Sequence, residues 1–142
     1  MSLGISESPV RVVFDTNVLI SAIGFGGKPR VLLLLALQKQ ILAFTSSILL
    51  AEFSEVVNKK FPRLISSLPR IEREIKRTFT IVSPKASISL VKDEDDNRVL
   101  EAAVEGKCQF IISGDRDLLD LGVFKRIRIV TSDQFLDLIK SA

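Results

Sequence analysis

The sequence contains no histidine and a single cysteine, Cys108. The missing histidine removes Ser-His-Asp triads, Cys-His dyads, imidazole general bases and imidazole metal ligands together. One cysteine excludes an intramolecular disulfide and a Cys-cluster zinc site, and it fits a reducing, cytoplasmic compartment. Long apolar runs are also missing. The most apolar one, Val31–Leu37, has seven residues, and Gln38-Lys39-Gln40 separates it from the next apolar stretch, so no bilayer span is expected. The opening nine residues, MSLGISESP, have neither a basic nor an apolar region of the kind a signal peptide needs. They read as a loose lead-in over 1–9, followed by one domain over 10–142. Any active site must therefore be assembled from carboxylates, hydroxyls, amides, Lys and Arg.

The remaining composition is that of a globular chain. Of 142 residues, 46% are hydrophobic and 26% charged, enough to bury one core without staples. The net charge of +3 permits a polyanionic partner without requiring one. The charge is segregated. Lys59, Lys60, Arg63, Arg70, Arg73, Lys76 and Arg77 crowd a stretch that carries only Glu72 and Glu74 as acids after Asn58, whereas Asp93-Glu94-Asp95-Asp96 is a run of four acids.

Apolar periodicity and turn residues alternate between strand and helix. Val10–Phe14, Ile41–Thr45, Thr80–Val82, Gln109–Ile112 and Ile127–Val130 read as strands. Thr16-Asn17 supplies cap chemistry for a helix through Ala22, and Gly24, Gly26, Gly27 and Pro29 mark a loop. A leucine-rich helix follows, apolar around most of its circumference; one side suits the sheet and the other a second copy, which points to a homodimer. Ser46-Ser47 can cap a helix running to about Lys60, and Pro62 and Pro69 bracket a break. Ile71–Phe79, Asn97–Glu105, a patch around Leu118-Leu119 and Asp133–Lys140 complete the helices, with Ser83–Lys92 irregular. This alternation predicts one α/β sandwich around a mainly parallel sheet with right-handed crossovers.

Ligands bind beyond the carboxyl ends of strands in such sheets. Two strands end on acids there: Asp15 after Val-Arg-Val-Val-Phe, and Asp115 after Phe-Ile-Ile-Ser-Gly. Glu52 falls within the apolar stripe Ile48, Leu49, Phe53, Val56 and Val57, where a carboxylate is costly unless paired or bound to a cation. The acidic run opens a helix, and Asp95 or Asp96 is best placed to turn toward the strand edge. Each acid alone has an ordinary reading: Asp15 as a helix cap, Asp115 and Asp117 as turn residues, Glu52 reaching solvent, the run as a solvated cap. Together they form a set of carboxylates, and with oxygen-only ligands the fitting ions are Mg²⁺ or Mn²⁺.

Asp15-Thr16-Asn17-Val18-Leu19-Ile20-Ser21-Ala22, Leu50-Ala51-Glu52-Phe53, Asp95-Asp96-Asn97-Arg98-Val99-Leu100-Glu101-Ala102-Ala103 and Ile111-Ile112-Ser113-Gly114-Asp115-Arg116-Asp117-Leu118 occur in this order. In these motifs the sequence resembles the PIN domain family, metal-dependent ribonucleases that include the VapC-like toxins of toxin–antitoxin pairs. The resemblance implies a three-layer α/β/α sandwich with a parallel sheet of four or five strands. It implies a catalytic set of Asp15, Glu52, Asp96 and Asp115, with Asp15, Asp96 and Asp115 on Mg²⁺ or Mn²⁺ and Asn17 and Ser113 in support. Counted back from Leu100-Glu101-Ala102-Ala103, the third acidic position has a second register, on Asn97 rather than Asp96, in which Asp96 or Asp93 would have to reach in. The reaction implied is RNA hydrolysis to a 5′-phosphate and a 3′-hydroxyl. The partners implied are RNA, whose backbone the basic segment Lys59–Arg77 would hold, and an antitoxin covering the acidic pocket. The rival reading is a non-catalytic RNA-binding or scaffold domain on the same fold. A phosphatase or phospho-acceptor domain fits poorly, since Asp15-Thr16-Asn17 lacks the second acid of a DxD motif.

Overall fold

The computed structural model describes residues 9–141; all but the last residue of the lead-in expected over 1–9 lies outside them. Its centre is a six-stranded sheet built from β1 (Arg11–Phe14), β2 (Leu42–Ser46), β3 (Thr80–Val82), β4 (Phe110–Ile112), β5 (Val123–Phe124) and β6 (Ile127–Val130), in the order β3-β2-β1-β4-β6-β5. Every neighbouring pair is parallel except β5 with β6. Five parallel strands agree with the expected sheet. The two-residue β5 is an addition: Gly122, with a φ of 73°, ends the preceding helix, and Lys125 and Arg126, with φ values of 49° and 70°, turn the chain back into β6.

Strand alternation divides the core in two. Val12, Phe14, Ala43, Ile112 and Val130 face one layer, formed by α1 (Thr16–Gly24), α2 (Gly27–Leu37), α3 (Ser47–Lys60), α4 (Leu68–Thr78) and α7 (Ser132–Ser141). Val13, Phe44, Ile111 and Ile129 face the other, formed by α5 (Glu94–Glu105) and α6 (Arg116–Leu121). The result is a three-layer α/β/α sandwich.

Several boundaries differ from expectation for local physical reasons. The glycine-rich loop closes within two residues of α1: Gly26 and Gly27 take positive φ values of 86° and 67°, and α2 begins at Gly27 with Pro29 in its first turn, where a missing N–H costs nothing. The break between Pro62 and Pro69 is a 3-10 turn over Pro62–Ser67 followed at once by α4. α5 begins at Glu94 rather than Asn97, because Asp93 caps it by accepting from Asp95 N at 2.9 Å. The cap of α1 is Asp15, not Thr16-Asn17. Among the described residues no helix is long and apolar enough to cross a membrane; α1 and α2 are apolar together but meet at 101°. Their buried residues belong to the core, while Val31 and Leu34 of α2 stay largely exposed.

Strand order fixes where a site can form. The chain moves outward from β1 through β2 to β3, then returns to the other side of β1 for β4. The switch point lies between β1 and β4, and a crevice opens beyond their carboxyl ends. Phe14 pairs with Ile112 in that register, so Asp15 and Ser113 follow side by side.

Candidate metal centre

At this switch point the Asp15 N–H donates to Ile112 O at 2.9 Å, extending the ladder by one rung and fixing where the carboxylate stands. Asp15 is buried. Its Oδ1 accepts from Asn17 N at 3.2 Å, the cap of α1, and its Oδ2 accepts from Ser113 Oγ at 2.6 Å. Ser113 Oγ in turn accepts from Asp115 N at 2.9 Å, so one buried hydroxyl ties the first carboxylate to the loop bearing another. Asp115 caps α6 through Oδ1, which accepts from Asp117 N and Leu118 N. Capping and membership of an acidic cluster are thus compatible in Asp15 and Asp115: one oxygen holds a helix end and the carboxylate still faces the crevice.

The helix opposite supplies the third acid. Asp96, 5% exposed, lies in the first turn of α5, and its Oδ2 is buried with no hydrogen-bond partner. Oxygens of Asp96, Asp115 and Asp117 lie within 4.8 Å of one another. The tightest trio therefore includes Asp117, which sequence reasoning treated as a turn residue; its place two residues after Asp115, on the first turn of the helix that Asp115 caps, was the available signal. Asn97 does not share this crevice. Its Oδ1 accepts from Leu90 N and Val91 N, and its Nδ2 donates to Val91 O. Asp93 is occupied as the cap of α5.

Glu52 approaches from α3. The buried line of that helix is Leu49, Leu50, Phe53 and Val57, and Ile48 is 54% exposed, so the expected stripe was drawn too far round. Glu52 sits on its margin, half-buried, and its Oε1 accepts from Thr16 Oγ1 at 2.7 Å. Asp95 is its acidic neighbour. Thr16 was not foreseen as a partner, because its hydroxyl reads as a cap in sequence.

The electrostatics follow from crowding without compensation. Among the described residues, no Lys or Arg forms an ion pair with Asp15, Glu52, Asp96 or Asp115. Burial, then the adjacent Asp115 carboxylate, pushes Asp96 up to about 8. Burial pushes Glu52 up to about 7, opposed by the Thr16 hydroxyl and reinforced by Asp95 and Asp15. Burial also raises Asp15, the bonds from Ser113 and Asn17 offsetting part of the rise. Carboxylates that repel one another and lack cations are a chemical fit for a divalent ion, and an oxygen-only donor set suits Mg²⁺ or Mn²⁺. The unpartnered Asp96 Oδ2 is the atom such an ion would satisfy. The basic residues from Lys59 to Arg77 are all exposed on α3, the 3-10 turn and α4. A hollow of about 530 Å³ between β6 and α7 contains none of these acids.

Comparison with known proteins bears on the family and the fold. Residues 11–117 match the PIN domain family. Over 117 residues the chain is 33% identical to the uncharacterized protein MJ1680 of Methanocaldococcus jannaschii, an alignment covering 79% of this chain and 75% of that protein. Its fold is similar to that of a chain in the crystal structure of VapBC2 from Rickettsia felis bound to a DNA fragment from their promoter, with a TM-score of 0.60 and 18% identity over 84% of this chain and 97% of that one. The last likeness concerns fold alone; the family match spans most of the chain and includes β1, α3, α5 and the start of α6. This chain belongs to the PIN domain family.

Proposed function

We propose that the chain is a Mg²⁺- or Mn²⁺-dependent ribonuclease and the toxin half of a toxin–antitoxin pair. PIN domains are generally nucleases that use divalent metals. The observation that carries the reading is the buried, unpartnered Asp96 Oδ2 beside Asp115, in a crevice where, among the described residues, no Lys or Arg pairs with the acids. Asp96, Asp115 and Asp15 would hold the ion, with Asp117 within reach of the first two. Bound there, the ion supplies Lewis acidity and a water activated near neutral pH. Ser113 orients Asp15 and the Asp115 loop together. Asn17 N fixes the Asp15 rotamer. Glu52, poised near neutrality by burial, can hold or release a proton at its carboxylate while Thr16 fixes Oε1. The exposed basic residues would contact RNA phosphates without reading sequence.

Resemblance to a VapBC2 chain supports an antitoxin as partner, and a ribonuclease acting on cellular RNA with one buried thiol fits the cytoplasm. The test is cleavage of single-stranded and structured RNA with Mn²⁺, wild type against Asp15→Asn. Metal-dependent cleavage lost in the variant supports the assignment; equal activity in both refutes it. The non-catalytic RNA-binding alternative predicts RNA retention with no heat of Mn²⁺ binding in calorimetry.

A further inference from the structure

Beside the carboxylates, on the side of β4 and β6, is a cavity of about 440 Å³, within the size range of small-ligand sites. Val18 and Pro29 give it apolar walls, Asn17, Ser21, Thr131 and Ser132 give it uncharged polar groups, and Asp133 is its one charged lining residue. Ser113 forms the partition: it lines the cavity and donates to Asp15 Oδ2 on the other side. Among the described residues, the side chains of Asn17, Ser21 and Ser132 make no hydrogen bond. An amide that both donates and accepts, with two hydroxyls that do the same, suits the mixed edge of a base and the hydroxyls of a ribose. The cavity is ill suited to a phosphate. Its lining carries no Lys or Arg among the described residues, and its one charged lining residue, Asp133, is paired with Lys28 at 3.3 Å. The opposite flanks of the crevice, toward Glu52 with Asp95 and toward Asp117, are acidic. A phosphodiester held at the carboxylates has a nucleoside on each side, and this is the side whose one lining carboxylate is ion-paired.

We infer that the cavity bounded by Asn17, Ser21, Pro29 and Ser132 seats the ribonucleoside next to the scissile phosphate, and that Asn17, Ser21 and Ser132 set the base preference of cleavage. The inference rests on the ribonuclease reading for its place beside the scissile bond, but occupancy of the cavity is tested without cleavage. The metal-free full chain is titrated with adenosine, cytidine and uridine and followed by ¹H–¹⁵N NMR. Saturable shifts are expected at the Asn17 side-chain amide and at the Ser21 and Ser132 amides, weakened about tenfold in Ser21→Leu and in Ser132→Leu. No shift at these groups, or the same shifts with inorganic phosphate, overturns the inference. In the second arm, RNA of randomised sequence is cut in Mn²⁺ and the ends are sequenced. A base preference at one position beside the cut should flatten in Ser132→Leu, with kcat/KM down about tenfold and the Mn²⁺-induced rise in Tm retained. Cleavage with unchanged preference sinks the cavity's role and leaves the ribonuclease intact. Nucleoside shifts in a wild type that cuts no RNA sink the ribonuclease and leave the nucleoside site.

Discussion

Asp96 and Glu101 stand on the same helix, α5, 5% and 8% exposed, and their surroundings are opposite. Glu101 Oε2 accepts from Ile88 N and from Arg98 Nη2, both at 2.8 Å, and Arg98 Nη2 also donates to Ile88 O. Glu105 accepts from Lys85 N, and Asn97 holds Leu90 and Val91. One face of α5 thus supplies the partners that the extended segment 83–92 lacks from any neighbouring strand. Around the front of the helix, Asp96 is repelled by Asp115, Asp15 and Asp93, and its Oδ2 is unsatisfied. Two equally buried acids teach that burial does not mark a functional carboxylate. What separates them is the missing partner, the cost that makes Asp96 and not Glu101 the candidate ligand of the proposed metal centre.

Single substitutions should separate the two acids by sign. Asp96→Asn removes a penalised charge, so the metal-free chain should melt a few degrees higher while Mn²⁺-dependent cleavage falls at least about a hundredfold. Glu101→Ala leaves the Ile88 N–H unpaired and takes from Arg98 its most buried acidic partner, at a cost of about 3 kcal/mol, or roughly 10 °C in Tm. Cleavage per folded molecule at low temperature should stay within about threefold of wild type. Paired thermal melts and initial rates decide it; if both variants destabilise the metal-free chain alike, the contrast is wrong.

Acidity sharpens the contrast further. The folded-state values of Asp96 and Glu52 are raised to about 8 and about 7. A raised carboxyl favours the folded state while protonated; its contribution is full below the unfolded value near 4 and is lost as pH climbs through the folded one. Melts in chelator should therefore show Tm falling between about pH 4 and pH 8. Mn²⁺ should raise Tm more at pH 8 than at pH 5, since the ion competes with protons for the same oxygens. A chelated Tm that is flat over this interval would contradict the crowding of the acids.

Asn97→Asp gives a smaller effect. The new carboxylate can still accept from Leu90 N and Val91 N, but it repels Val91 O where Nδ2 donated. A loss of about 1–2 kcal/mol is expected, without gain in Mn²⁺ affinity, because the side chain faces the 83–92 segment. Tighter Mn²⁺ binding in calorimetry would mean that this position belongs to the metal centre.

The extent to which this was legible in the sequence follows the range of the forces involved. The five parallel strands announce themselves through runs such as Val12-Val13-Phe14 and Ile111-Ile112, buried on both faces and hence apolar throughout. Asp15 and Asp115 are legible once β1 and β4 are parallel, because strand ends at a switch point converge whatever the loops do. The start of α2 was obscured because Gly26-Gly27 and Pro29 have the composition of a loop, whereas the two positive-φ glycines complete the whole turn and Pro29 already lies in the helix. The exposure of Ile48 and the half-burial of Glu52 depend on how α3 rotates against α1, a tertiary choice that helical periodicity leaves open by a residue either way. Asn97 is opaque for a different reason. Its partners are backbone groups of an irregular segment, and backbone polarity has no signature in side-chain identity.

The smallest predicted effect concerns Thr16, the contact least visible in sequence. Its hydroxyl donates to Glu52 Oε1 at 2.7 Å and holds the glutamate below the value that burial and Asp95 alone would give it. Thr16→Val keeps the shape and removes the donor, so the Glu52 carboxyl should rise above about 7. Thr16 is buried, but the loss falls on a half-exposed carboxylate that water can re-solvate, so Tm should change little. If Glu52 works ionised, the ascending limb of the pH–rate profile moves to higher pH, and activity at pH 7 drops only about threefold and recovers at pH 9. A limb that stays in place while the rate falls equally at every pH would assign Thr16 to packing and remove Glu52 from the groups that titrate in cleavage.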